Sequence, residues 1–244
     1  MDGGSLLAHA ISGRGAYHHV NQDSYYFDRD RGLFIIADGM GGHRAGEVAS
    51  RLAVEVLSKT LTSSEDFSKE ALVKALLTTH RIILGESERE KAYHGMGTTA
   101  LIAWVKLPEL KLLVAHVGDS RAYLWRKGSL QPLTEDHTLF NELRKANRLP
   151  SDPSLWPSRS ILTQSLGAGQ ALISPSIGEL FLEFGDRLLL CTDGVWDLLR
   201  EEEMNQILSE ASTPEDACNR IAHMVKNRGA WDDFTAIVIL VGKT

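Results

Sequence analysis

Three apolar runs in this sequence each deliver an aspartate next to a glycine. Leu33–Ala37 leads into Asp38-Gly39, Leu188–Thr192 leads into Asp193-Gly194, and Leu112–Val117 leads into Gly118-Asp119. A fourth acidic pair, Asp232-Asp233, stands immediately before the apolar run Thr235–Val241. Strand ends hold side chains rigidly, so carboxylates placed there can converge on one point. Hard divalent cations take several carboxylate and carbonyl oxygens, and a two-metal hydrolytic site needs a carboxylate shared between the ions. Each Asp-Gly taken alone is also a strong hairpin-turn signal. A turn does not account for Gly39-Met40-Gly41-Gly42-His43 running on toward a helix, nor for the device recurring at four places.

The runs that must position these residues are Leu33–Ala37, Thr98–Val105, Leu112–Val117, Ala122–Trp125, Arg187–Thr192 and Thr235–Val241. Several are nearly continuous, the pattern of strands covered on both faces. Helical periodicity fills Glu47–Leu61 and Phe67–Leu84, with Ser68 as a cap for the second. It returns at Glu201–Ala211 and Pro214–Asn227, where Thr213 caps, Pro214 takes the first turn and Gly229 follows the stop. This order suits two antiparallel sheets packed together with helices outside each, and leaves a mixed α/β layer open. Asn147–Arg159 holds three prolines and is an irregular excursion between Thr138 and Ile161.

Composition narrows the function. The 244 residues are 43% hydrophobic and 24% charged, ordinary for a globular chain, and the net charge of −6 offers no basic footprint for nucleic acid. No run is long enough to span a bilayer, the start lacks a secretory signal pattern, and two distant cysteines, Cys191 and Cys218, suit neither zinc nor a disulfide framework. The expected setting is the cytoplasm. Gly118-Asp119-Ser120-Arg121-Ala122 imitates a nucleophile elbow, but that device needs a helix after the serine and a strand-like Ala122–Trp125 follows.

In order along nearly the whole chain, the motifs resemble the PPM, or type-2C, protein serine/threonine phosphatases. They are Ser12–Asp23, Asp38–His43 with Gly46-Glu47, Gly97-Thr98-Thr99, Val117–Arg121, Leu133–His137, Ile161–Gly167, Asp193–Asp197 and Asp232–Thr235. Each is weak alone; eight in order are specific. The resemblance implies an α+β fold, a β-sandwich of two antiparallel sheets flanked by α-helices on both outer faces. It implies a single catalytic domain over 1–244 with a flap-like segment at about 138–160. It implies hydrolysis of phosphoserine and phosphothreonine by a metal-activated water, with two Mn²⁺ or Mg²⁺ and a weaker third.

Asp38 would bridge the two ions and Gly39 would offer its carbonyl; Asp193 and Asp232 would complete the pair, and Asp119 would help hold the third. Asp23 and Asp197 would orient ligands and waters. Two positions depart from the family. Its usual phosphate-gripping Arg is His18 here, with Arg14 as a second candidate. The residue after the central Asp-Gly is Met40, as in bacterial relatives, and His43 is a candidate general acid. Gln22 and Asp233 stand where the family often has Glu and Asn. The implied partner is a phosphoprotein, opposed to a Hanks-type bacterial kinase, with no nucleic acid or membrane and a monomeric state. The alternatives are a pseudophosphatase that binds phosphoproteins and a small-molecule phosphoesterase.

Overall fold

The computed structural model describes residues 4–41, 45–107, 109–168 and 173–243. Eleven strands form two antiparallel sheets. The first contains β1 (Gly4–Gly13), β11 (Phe234–Lys243), β10 (Arg187–Cys191), β7 (Arg121–Arg126) and β8 (Ser129–Pro132), side by side in that order. The second runs β2 (Asp23–Asp28), β3 (Leu33–Met40), β5 (Ala100–Lys106), β6 (Lys111–Val117) and β9 (Ser176–Phe181), with the two-residue β4 (Gly97–Thr98) added to the end of β3.

The near-continuous apolar runs follow from alternation between two covers. On β3, Leu33, Ile35 and Ala37 face α1 (Ala45–Thr62) and α2 (Lys69–Arg89), while Phe34 and Ile36 face the opposite sheet. On β11, Ala236 and Val238 pack toward α5 (Glu201–Glu210) and α6 (Pro214–Asn227), while Ile237, Ile239 and Val241 enter the inter-sheet core. Three cores result: helix on sheet, sheet on sheet, sheet on helix. The α-β-β-α layering expected for the chain is what forms.

The caps behave as their residue types predict. Ser68 Oγ accepts from the Ala71 N–H, and Thr213 Oγ1 from the Asp216 N–H. Between β8 and β9 the chain leaves the sandwich: α3 (Leu139–Lys145) is capped by Thr138, and a short 3₁₀ turn covers Pro153–Leu155. An isolated bridge from Thr138 to Leu162 pinches the base of this excursion. No helix among the described residues is long and apolar enough to cross a membrane.

Candidate metal centre

Asp38 sits at the end of β3 in the second sheet. Asp119 lies in the turn after β6, where the chain passes to the first sheet. Asp193 opens a four-residue helix, α4 (Asp193–Trp196), directly after β10, and Asp232 precedes β11. All four line one cleft of about 260 Å³ at the shared end of the two sheets, together with His18, Gln22, Gly39, Met40, Thr99, Ser160 and Leu162. The larger cavities lie elsewhere.

The backbone around Asp38 is clamped from one side. Its N–H donates to Thr99 Oγ1 at 2.9 Å, and its carbonyl accepts from the Thr99 N–H and from Thr98 Oγ1, each at 2.8 Å. Thr99 Oγ1 is also 2.8 Å from Ser120 Oγ, which ties the Asp38 strand to the residue after Asp119. The next residue has to be glycine: a Cβ on Gly39 would lie 2.0 Å from the carbonyl oxygen of Gly46, in the first turn of α1. That close approach seats the helix against the cleft.

Charge in the cleft is one-sided. Among the described residues no Lys or Arg lines it. Burial, and then the charges of Asp193, Asp23 and Asp119, hold the Asp38 carboxyl well above the ordinary carboxylate range. Asp119 is pushed up to about 8 by burial and by Asp193, and Asp193 to about 6 by burial and Asp232. Oδ1 of Asp193 and Oδ1 of Asp23 are buried without a hydrogen-bond partner. Buried carboxylates that repel one another and keep free lone pairs are the donor set that hard divalent cations require. The residues fit the implied metals.

Asp23 pairs in register with Asp38 across β2 and β3, and its Oδ2 accepts from Thr192 Oγ1 at 2.9 Å, behind the cleft. Asp197 follows α4, and burial raises its carboxyl as well. Neither lines the cleft itself. Nor does Arg14, whose guanidinium donates to the His18 carbonyl at 2.7 Å and braces the loop from behind. His43 lies outside the described residues.

His18 and Asp233, two separate departures in sequence, touch. Asp233 is buried and its carboxylate has three hydrogen-bond partners. Oδ1 accepts from the Gly15 N–H at 2.7 Å; Oδ2 accepts from the Gln22 N–H at 2.7 Å and lies 2.8 Å from His18 Nδ1. His18, Asp232 and Asp233 are near enough for a common cation, and Asp233 already has three hydrogen-bond partners. Burial lowers the His18 pKa; the hydrogen bond and charge of Asp233, with Asp232 and Asp193 behind, outweigh it and raise the imidazole above its usual value.

The sequence model of the family described as protein phosphatase 2C matches residues 14–227. The chain belongs to that family. Among curated relatives, the serine/threonine phosphatase stp of Listeria monocytogenes serotype 4b is 33% identical over 93% of this chain and 92% of its own length. The crystal structure of the Mycobacterium tuberculosis serine/threonine phosphatase PstP/Ppp superposes with a TM-score of 0.87 at 30% identity, covering 98% of this chain and 99% of that one. The catalytic domain of PstP in complex with two manganese ions gives 0.85 at 29% identity, covering 98% and 99%. In this member of the protein phosphatase 2C family, Gln22, Thr99, Ser160 and Leu162 also line the cleft, and their motifs assign them no role. The Gly97-Thr98-Thr99 motif was legible in the sequence; that its hydroxyls clamp the Asp38 backbone was not, because that contact spans 60 or 61 residues.

Proposed function

We propose that the chain is a metal-dependent protein phosphatase that hydrolyses phosphoserine and phosphothreonine esters. The observation that carries this reading is the convergence of Asp38, Asp119, Asp193 and Asp232, from both sheets, in a cleft without a lysine or arginine among the described residues. Asp38, Asp193, Asp232 and the Gly39 carbonyl would hold two cations, Mn²⁺ or Mg²⁺; Asp119 and Asp193 would hold a weaker third. When bound, such cations make hydroxide available near neutral pH and offset the charge that develops on a transferring phosphoryl group.

The chain supplies the positioning. Thr99 and Thr98 fix the backbone of Asp38, and Thr192 fixes Asp23, so the carboxylates keep their places when repulsion would scatter them. His18 lines the cleft with Nδ1 engaged by Asp233, which leaves Nε2 as the nitrogen that can donate to a substrate phosphate oxygen. Arg14 supports that loop through the His18 and His19 carbonyls and is the second candidate for gripping the phosphate. Asp23 and Asp197 would orient waters and ligands, and His43 would give the leaving alkoxide its proton. The substrate is a phosphoprotein of a Hanks-type kinase, and the enzyme works in the cytoplasm as a monomer; the names of the bacterial serine/threonine phosphatase relatives support the phosphoprotein part of this reading.

The test is hydrolysis of a phosphothreonine peptide and of p-nitrophenyl phosphate with Mn²⁺, with Mg²⁺ and in EDTA. Turnover should require metal. Full turnover of the peptide in excess chelator would overturn the reading.

A further inference from the structure

Trp196 ties together the two stretches of chain that carry Asp119 and Asp193. Strands β7 and β10 pair from Trp125 with Arg187 down to Arg121 with Cys191, where the ladder ends. Asp119 lies just before the last paired residue of β7, and Asp193 just after that of β10. Both carboxylates line the cleft, and the charge of Asp193 bears on Asp119. Like charges at the open end of a ladder push the two chains apart. Across this gap the indole N–H of Trp196 donates to the Asp119 carbonyl at 3.1 Å, and both residues are buried. Trp196 belongs to α4, the helix that Asp193 opens, so the bond runs from the element of one carboxylate to the backbone of the other.

The indole is itself held. The Arg121 guanidinium lies over its ring, with the guanidinium carbon 3.5 Å from the ring centroid. Asp136, in the segment after β8, grips that guanidinium by its edge: Nε donates to Oδ1 at 2.9 Å and Nη2 to Oδ2 at 2.6 Å. A planar cation fixed at its edge presents a flat face to the ring, a contact a lysine cannot reproduce. Asp136, Arg121 and Trp196 thus form a stack that ends on the Asp119 carbonyl. Asp38 is fixed by other contacts, those of Thr98 and Thr99.

On the reading above, in which Asp119 and Asp193 hold the weaker third cation, we propose that Trp196 is a positioning residue for that site. Its N–H sets the separation of the two carboxylates, and Arg121 keeps the indole in place. Loss of the tie should loosen the weaker site and spare the pair of cations that Asp38 shares.

The experiment counts Mn²⁺ bound to the full chain from the electron paramagnetic resonance signal of the free ion, with no substrate present. The unaltered protein should show a tighter class of sites and a weaker one, and Asp119→Asn should remove the weaker class and so identify it. Trp196→Phe keeps an aromatic ring beneath Arg121 and loses the N–H. It should raise the weaker Kd about fivefold, the worth of one buried hydrogen bond, and leave the tighter class unchanged. Arg121→Lys keeps the N–H and the charge but loses the stacked plane, and should raise the weaker Kd about threefold. It also carries the test should Trp196→Phe fail to fold. A weaker Kd unchanged in whichever variant folds, or both classes loosened together, would overturn the tie and leave the phosphatase reading standing. Mn²⁺ binding indifferent to Asp119→Asn would overturn the third cation and the tie together, and a chain that binds no Mn²⁺ would overturn the metal-dependent reading as well.

Discussion

At the scale of single residues, Asp233 is the group whose importance is hardest to infer from sequence. Its donors are the backbone N–H groups of Gly15 and Gln22, more than 200 positions away, together with the ring of His18. No side-chain pattern announces a carboxylate that folds a distant loop around itself. The four cleft aspartates were legible because each ends or precedes an apolar run, a periodicity signal that needs no partner. If the His18–Asp233 contact fastens the opening loop, His18→Ala and Asp233→Asn should be non-additive in urea unfolding. The expected coupling is about 1 kcal/mol, within the range for hydrogen-bonded neighbours; additive losses would show that the two act separately. The aspartates proposed to hold the metals should behave differently. Asp38→Asn and Asp193→Asn should each abolish phosphopeptide turnover and retain a cooperative thermal transition, because they remove charge from a site already strained by repulsion. Ser120→Ala should keep most turnover and lose about 1 kcal/mol, the worth of its buried hydrogen bond to Thr99.

Among elements, what could be read and what could not divides along the position of each strand in its sheet. The six continuous apolar runs became β3, β5, β6, β7, β10 and β11, which occupy every interior place along the two five-strand paths. The strands without such a run, β1, β2, β8 and β9, are the four edges. An edge strand has one neighbour and a face open to water, so polar residues interrupt its pattern: β2 reads Asp23-Ser24-Tyr25-Tyr26 and β8 contains Pro132. The seven-residue α3 was hidden for another reason, since so short a helix shows barely two turns of period. It belongs to the excursion pinched by the Thr138–Leu162 bridge. Replacing Ser151–Ser158 with a Gly/Ser linker should lower kcat/KM for a phosphopeptide more than that for p-nitrophenyl phosphate. Equal losses on both would make the segment part of the catalytic apparatus.

Across the molecule, a stacked pair of histidines ties the end of β6 to the segment that follows β8. His116 and His137 stack with ring centroids 4.6 Å apart, and His137 accepts from the Gly118 N–H through Nδ1 while Nε2 lies 2.8 Å from Ser176 Oγ. Burial, with the neighbouring His116, lowers the His137 pKa to about 4. Between that value and the unfolded value near 6.5, the unfolded chain binds the extra proton and the folded one does not. Stability from this group is therefore complete above about pH 6.5 and lost as pH falls toward 4. The melting temperature should decline over that interval, and His137→Gln should make the decline shallower; parallel profiles would count against the pair. Mn²⁺ should raise the melting temperature at fixed pH in a concentration-dependent way, and Asp38→Asn should suppress that rise.

One feature of the first sheet governs when activity can begin. The last strand in sequence, β11, is not at an edge but between β1 and β10, and Asp232 directly precedes it. During synthesis β1 must wait, unpaired, for every later strand to emerge before its one neighbour among the described residues exists. Until then the sandwich is open along its middle and the fourth carboxylate is missing. A chain stopped ahead of Asp232 therefore lacks both one of the four cleft carboxylates and the strand that joins β1 to β10. Such a product exposes the flanks of β1 and β10 as bare strand edges, which marks it for aggregation or proteolysis.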